Sequence, residues 1–262
     1  MGRPPSRAGS GRGGALRHTV AMASIRMVGF DADDTLWRSE DYFEAAQAEF
    51  ERIVGRYVDG DARAMERLYA VEKGNLSIFG YGVKGMALSM VEAAIEITGQ
   101  RISAVDLHRI VAMAKDMLRH PVELLPGVRE AVEEIAAEHA VVLITKGDLF
   151  HQEAKVRDSG LSALFRRIEI VSEKDVATYR RLLEEFAIPA ASFVMVGNSL
   201  RSDIAPVLEL GGWGVHVPYH LTWAHEREAE VAADAPRLRA VASAAELPEA
   251  LRAIAAAQSL VC

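Results

Sequence analysis

Three acids and a threonine crowd into one short stretch, Asp31, Asp33, Asp34 and Thr35 of Met27–Val28–Gly29–Phe30–Asp31–Ala32–Asp33–Asp34–Thr35–Leu36–Trp37. Carboxylates this close repel one another unless a positive charge sits among them. A hard divalent cation such as Mg²⁺ suits that need, because it takes carboxylate and carbonyl oxygens. The apolar run ahead of the acids, from Ile25 to Phe30, reads as a buried strand. In open parallel sheets, ligands sit just beyond the carboxyl ends of such strands.

Further along the chain, other groups with chemical potential follow similar apolar runs. Thr145 closes Ala140–Val141–Val142–Leu143–Ile144–Thr145 and leads into Lys146–Gly147–Asp148. A hydroxyl there, with the N–H groups of a turn entering a helix, suits phosphate oxygens. Lys174 lies in Val171–Ser172–Glu173–Lys174–Asp175, just after the run Ile168–Val171. Lys155, in His151–Gln152–Glu153–Ala154–Lys155, competes with it, but falls on a helix where a surface lysine is the ordinary expectation. Gly197–Asn198–Ser199–Leu200–Arg201–Ser202–Asp203 follows the run Phe193–Val196. His216, His220 and His225 lie close together in sequence, yet neither a cysteine nor a fixed helical spacing supports a transition-metal site there. They read as a loop beside the site.

The elements that must position these groups follow from periodicity. Phe43, Ala46, Phe50, Ile53, Val54 and Tyr57 recur at three- and four-residue steps and share one helical face. A second helical run passes through Met65, Leu68 and Val71, and glycines 74, 80, 82 and 85 punctuate a loop around Phe79–Lys84. Tyr81 and Lys84 in that loop either reach down to a substrate or cap an exposed turn. Helices over Met86–Ile97 and Ala104–Leu118 complete an all-helical stretch, residues 38–120. The methionines at 86, 90, 113 and 117 read as helix packing. From Leu125–Pro126–Gly127–Val128 onward a helix alternates with strands at 140–145, 168–171, 193–196 and 213–217, and an amphipathic helix over Ala244–Ala257 follows. Such alternation argues for a parallel sheet with helices on both faces.

The pattern Asp-x-Asp-x-Thr after a strand, met by Asp31, Asp33 and Thr35, resembles the first motif of the haloacid dehalogenase-like (HAD) superfamily. Thr145 is similar to the second motif and Lys174 to the third. Gly197–Asn198–Ser199 with Asp203 resembles the fourth, Gly-Asp-Ser-x-x-x-Asp, except that Asn198 stands where aspartate is usual. The resemblance implies an α/β fold, a doubly wound parallel sheet (HAD-like Rossmannoid core) with an inserted α-helical cap. Residues 25–37 and 121–262 would form the core and 38–120 the cap. It implies nucleophilic catalysis by Asp31 through an aspartyl-phosphate, with Asp33 as general acid and base. Thr145 and Lys174 would hold phosphoryl oxygens. Mg²⁺ would rest on Asp31, the Asp33 carbonyl, and Asn198 or Asp203. Asp33 favours ester hydrolysis over dehalogenation, since expelling halide needs no proton. A phosphomutase would use the same residues. Asn198, which brings no charge, is the one feature that favours a non-catalytic protein binding a phosphorylated ligand or a protein partner.

Bulk properties narrow the setting. Of 30 basic residues four are arginines within residues 1–24, a stretch without acids, so elsewhere 26 bases face 37 acids. An acidic body gives nucleic acid no basic face to meet, and no apolar run approaches the roughly 18 residues of a membrane span. Residues 1–24 read as a disordered basic tail, or as residues ahead of a start at Met22 or Met27; they lack the apolar centre of a secretory signal. The single cysteine, Cys262, leaves no internal disulfide and suits a reducing, cytoplasmic setting. A small phosphorylated molecule is the expected partner; oligomeric state is not set by the sequence.

Overall fold

A computed structural model describes residues 25–58, 63–227, 231–232 and 234–260. The expectation of a disordered tail, residues 1–24, lies outside the described residues. Six parallel strands form one sheet: β1 (Met27–Phe30), β2 (Ala140–Lys146), β3 (Arg167–Val171), β4 (Phe193–Gly197), β5 (Trp213–His216) and β6 (Leu238–Ala240), in the order β3-β2-β1-β4-β5-β6. The helices that connect them are α5 (Val128–Glu138), α6 (Leu149–Asp158), α7 (Val176–Phe186) and α8 (Ala205–Glu209), and α9 (Leu247–Leu260) follows β6. The doubly wound α/β sheet expected from alternation is what forms.

Alternation of side chains along each strand builds two cores. Val28 and Phe30 join Leu143, Val194, Val196 and the inner faces of α5 and α9. Met27, Val142, Ile144 and Met195 point the other way, against Tyr179 and Leu182 of α7. Both faces are therefore buried, which is why the strands read as continuous apolar runs. β6 went unread in the sequence. It is three residues long, flanked by Arg237, carries Arg239 and lies at the sheet edge, where half-exposed strands lack an apolar signature.

Between β1 and β2 the chain makes α1 (Glu40–Val54), α2 (Ala64–Phe79), α3 (Val83–Ile97) and α4 (Ala104–Arg119). Phe50, Ile53, Leu68, Met90 and Ile110 are fully buried in an apolar core that these four helices share with no strand. Met86, Met90, Met113 and Met117 all take part in it, as packing. Gly74 does not open a loop: α2 runs through it to Phe79, and only Gly80–Gly82 separates α2 from α3. The chain leaves and re-enters the sheet domain side by side, with Arg38 N–H donating to Glu123 O and Leu125 N–H to Leu36 O.

The register brings the ends of the three central strands level. Phe30 lies opposite Leu143 on β2 and Val196 on β4. The chain winds from β1 out to β3, then returns to β4 on the other side of β1. Asp31 thus leaves β1 at the point where strand order reverses, the place in open α/β sheets where ligands bind.

Candidate active site

Asp31, Thr35, Lys174, Asn198 and Asp203 converge at that switch point. Lys174 Nζ is almost wholly buried; it donates to Asp31 Oδ1 and, at 2.7 Å, to Asp203 Oδ1. Thr35 Oγ1 donates to Asp31 Oδ2 at 3.2 Å and accepts from the Asn198 N–H at 3.0 Å, so one hydroxyl ties the β1 loop to the β4 loop. Asp203 is fully buried, and its second carboxylate oxygen accepts from the Ser199 N–H at 3.0 Å. A Cβ on Gly197 would stand 2.2 Å from that oxygen, so only glycine lets Asp203 lie against the strand end. Thr145 is buried at the end of β2 and lines the same cavity.

One ammonium between two carboxylates leaves a negative charge over. Burial raises the Asp31 carboxyl to about 7, with Asp203 adding to the rise and Lys174 opposing it. A nucleophile must be ionised at neutral pH, so the site calls for more positive charge than Lys174 supplies. Among the described residues, no three His, Cys, Asp or Glu side chains converge to hold a metal. Asp203 accepts from Lys174 and the Ser199 N–H, as Asp31 does from Lys174 and Thr35, and each carboxylate keeps further lone pairs. The oxygens at the strand ends are the Asp31 and Asp203 carboxylates, the Asp33 backbone carbonyl and the Asn198 side-chain carbonyl. That hard, all-oxygen set fits Mg²⁺, which keeps several waters of its own.

Asp33 is held differently from Asp31. Its Oδ1 accepts from Trp37 Nε1 at 2.7 Å and Lys155 Nζ at 2.5 Å, and its Oδ2 from Gln152 Nε2 at 2.8 Å. Burial raises this carboxyl, but the Lys155 charge and the three donors outweigh it and hold it below its ordinary range. The reading of Lys155 as a surface lysine is therefore corrected: its side chain is only 11 % exposed. Gln152 and Lys155 sit three apart on α6, so both reach one partner.

The helical insert is fastened to this end of the sheet. Tyr81 O–H donates to Glu173 at 2.7 Å, and Lys84 Nζ to Asp148 at 2.9 Å. Both residues are occupied in holding the Gly80–Gly82 turn against the loops after β2 and β3. Lys146, unread in the sequence, donates to Glu173, Ser202 and Glu226 and lies 4.3 Å from the centre of the Tyr81 ring. Burial raises Glu226, yet Lys146 and the Ser199 and Ser202 hydroxyls bring it down to about 2. The three histidines do not gather: His216 meets the Asn198 carbonyl, His220 meets Asp41, and His225 faces Tyr81.

The acidic groups give a pH prediction. Burial raises Asp34 to about 7, Glu40 to about 8 and Glu72 to about 7. A raised carboxyl binds its proton more tightly folded than unfolded, so its contribution is present below about pH 4 and lost as pH rises through the folded value. The depressed imidazoles of His151, His216 and His225 gain stability up to about pH 6.5 and oppose this below it, so the chelator-treated protein is expected to lose thermal stability from about pH 6.5 to pH 8. Melting curves across that range measure it, and a midpoint that rises instead contradicts the burial of these groups.

Comparisons with known proteins agree with this architecture. A haloacid dehalogenase-like hydrolase from Xanthomonas campestris is 56% identical, with 91% of this chain and 99% of that one aligned and a TM-score of 0.83. A predicted phosphoglycolate phosphatase from Haemophilus somnus 129pt shares the fold at 16% identity, covering 86% and 97%, with a TM-score of 0.60. A 2-haloacid dehalogenase from Pseudomonas syringae pv. Tomato DC3000 does so at 21%, covering 87% and 99%, with a TM-score of 0.56. Comparison with curated proteins gives no match. The sequence model of the haloacid dehalogenase-like hydrolases matches residues 25–211, and the chain belongs to that family.

Proposed function

We propose that this hydrolase is a Mg²⁺-dependent phosphatase that cleaves a small phosphate monoester through an aspartyl-phosphate on Asp31, and that residues 38–120 act as its cap. The observation that carries the reading is Asp31 at the switch point, bonded to Lys174 and Thr35, with a second acid at Asp33. An Asp31 oxygen attacks phosphorus, the bond from phosphorus to the ester oxygen breaks, and Asp33 gives its proton to the departing alcohol. Water then attacks the same phosphorus and yields its proton to Asp33, and the Asp31–phosphorus bond breaks. Lys174 and Thr145 hold the phosphoryl oxygens through both displacements. Asp31, the Asp33 carbonyl, and Asn198 or Asp203 would hold Mg²⁺, which would neutralise charge so that nucleophile and phosphate can approach. Phosphate release from an aryl phosphate and from sugar, nucleotide and small-acid phosphates, with and without Mg²⁺, tests the reading. Release that needs the cation supports it, and a folded protein that turns over none of them contradicts it. No described helix is long and apolar enough to cross a membrane.

Two variants probe the details. As held here by Lys155, Asp33 is ionised, the state that accepts water's proton; donating one requires the ion pair to open. Lys155→Met removes the cation and leaves only the neutral Gln152 and Trp37 donors to oppose burial. The limb of the pH–rate profile belonging to Asp33 is expected to move to higher pH by about one unit. An unmoved limb removes Asp33 from that role. Asn198→Asp adds a charged oxygen to the cation's donors, and half-activation by Mg²⁺ is expected at about tenfold lower concentration. A titration of activity against Mg²⁺ reads this directly.

A further inference from the structure

The cavity above Asp31 has two chemically different ends. Its floor, formed by the sheet domain, carries Lys146, Lys155 and Lys174, each paired with a carboxylate of that floor: Glu226, Asp33, and Asp31 with Asp203. Its roof, formed by α1, α2 and α3, carries no lysine, arginine or histidine, but two carboxyls, Glu40 and Glu72. Glu72, Leu76 and Phe79 recur on one face of α2, and Glu40, Phe43 and Gln47 on one face of α1, so both helices turn a stripe toward the cavity. A second hollow opens from this roof between α1, α2 and Trp223, and it too is walled by Glu40 and Glu72, with Glu44 beyond.

Glu72 is the unusual group. It is only 7 % exposed, yet no hydrogen bond or ion pair from any other side chain or backbone group reaches it among the described residues. Every other buried acid near the site is answered: Asp31 and Asp203 by Lys174, and Asp34 by the Ser39 and Glu40 N–H groups. A buried carboxyl with no donor costs free energy, and one that faces a cavity finds its donor in whatever fills the cavity. Glu40 beside it adds a second oxygen acceptor facing the same cavity. Trp223 and Phe43 supply aromatic walls, and aromatic faces attract cations.

We propose that the substrate is the phosphate ester of an amino alcohol, with its phosphoryl group on the lysine-lined floor and its ammonium group between Glu72 and Glu40. The proposal rests on reading the floor as a phosphoryl site. An ammonium offers three donors to two carboxyl groups and balances the charge of one of them. The floor and roof together orient the molecule end to end, so that only the ester oxygen faces Asp31. A sugar or diol phosphate would meet the same acceptors without charge, and a phosphorylated carboxylic acid would be repelled by them.

Binding of phosphonates, which lack the cleavable ester bond, separates this proposal from the question of turnover. Titration calorimetry in the presence of Mg²⁺ would compare 3-aminopropylphosphonate with butylphosphonate and 3-hydroxypropylphosphonate. The ammonium compound is expected to bind about tenfold more tightly than either, an advantage lost in Glu72→Gln. Glu40→Gln, read the same way, serves where the first variant does not fold, and melting curves identify that case. Equal binding of the three, or a preference untouched in both folded variants, overturns the proposal and leaves the phosphatase reading intact. If no phosphonate binds and no ester is hydrolysed, both fall together.

Discussion

Asp31→Asn is expected to lower turnover of any phosphate ester by about 10⁴-fold or more, the scale seen when a nucleophile is removed from a covalent mechanism. The change is nearly isosteric, so the fold should persist. The amide can still accept the Thr35 hydroxyl, and Lys174 keeps Asp203 as its partner. What disappears is the oxygen that bonds to phosphorus. Because Asp31 is itself raised to about 7 by burial, the variant should melt no lower than the parent near pH 8, where the buried charge is a burden. Initial rates and melting curves on the same preparations separate the two effects. Full activity in the variant would remove Asp31 from the chemistry.

Lys174→Met is expected to cause the largest loss of stability. Lys174 is the only cation bonded to Asp31 and Asp203 among the described residues, and all three are buried. Breaking such a set by removing one partner costs about 3–5 kcal/mol, because the charges left behind stay in a low-dielectric interior. For a domain of this size the melting point should fall on the order of 10 °C. Mg²⁺ should restore part of that loss, since a cation beside Asp31 replaces some of the missing charge. Turnover should fall as well, because phosphoryl oxygens lose their buried donor. Melting curves with and without Mg²⁺ measure both parts. A variant as stable as the parent would mean that the carboxyls take up protons and the ion pair carries no net stability.

How far this was legible in the sequence differs from one residue to the next. Asp31 and the four strands after it announce themselves because both faces of the sheet are covered, which leaves unbroken apolar runs that end in polar groups. β6 does not, since a three-residue edge strand with Arg237 before it and Arg239 within it has no such run. Lys174 stands out from Lys155 in sequence because it follows a strand while Lys155 falls on a helix, and the structure sets Lys174 against Asp31. That Lys155 meets Asp33 was hidden, because periodicity along α6 shows which residues share a face but not what lies opposite. The same limit hid Lys146 and Glu226, eighty positions apart in sequence and joined only by the packing of two loops. Asp203 reads in the sequence as a candidate cation ligand; only its rotamer shows that it also holds Lys174 and the Ser199 N–H. Glu72 looks like any charged residue on a helix until α1, α2 and α3 fold around it.

The central claim is a covalent bond from Asp31 to phosphorus. Protein quenched in acid during turnover of an aryl phosphate with Mg²⁺, then digested and weighed, reads that bond directly. The peptide carrying Asp31 should gain one phosphoryl mass, and the gain should vanish when the quench follows exhaustion of substrate. Phosphate released steadily while that peptide keeps its unmodified mass at every quench time would mean that water attacks the ester directly, and would contradict the mechanism.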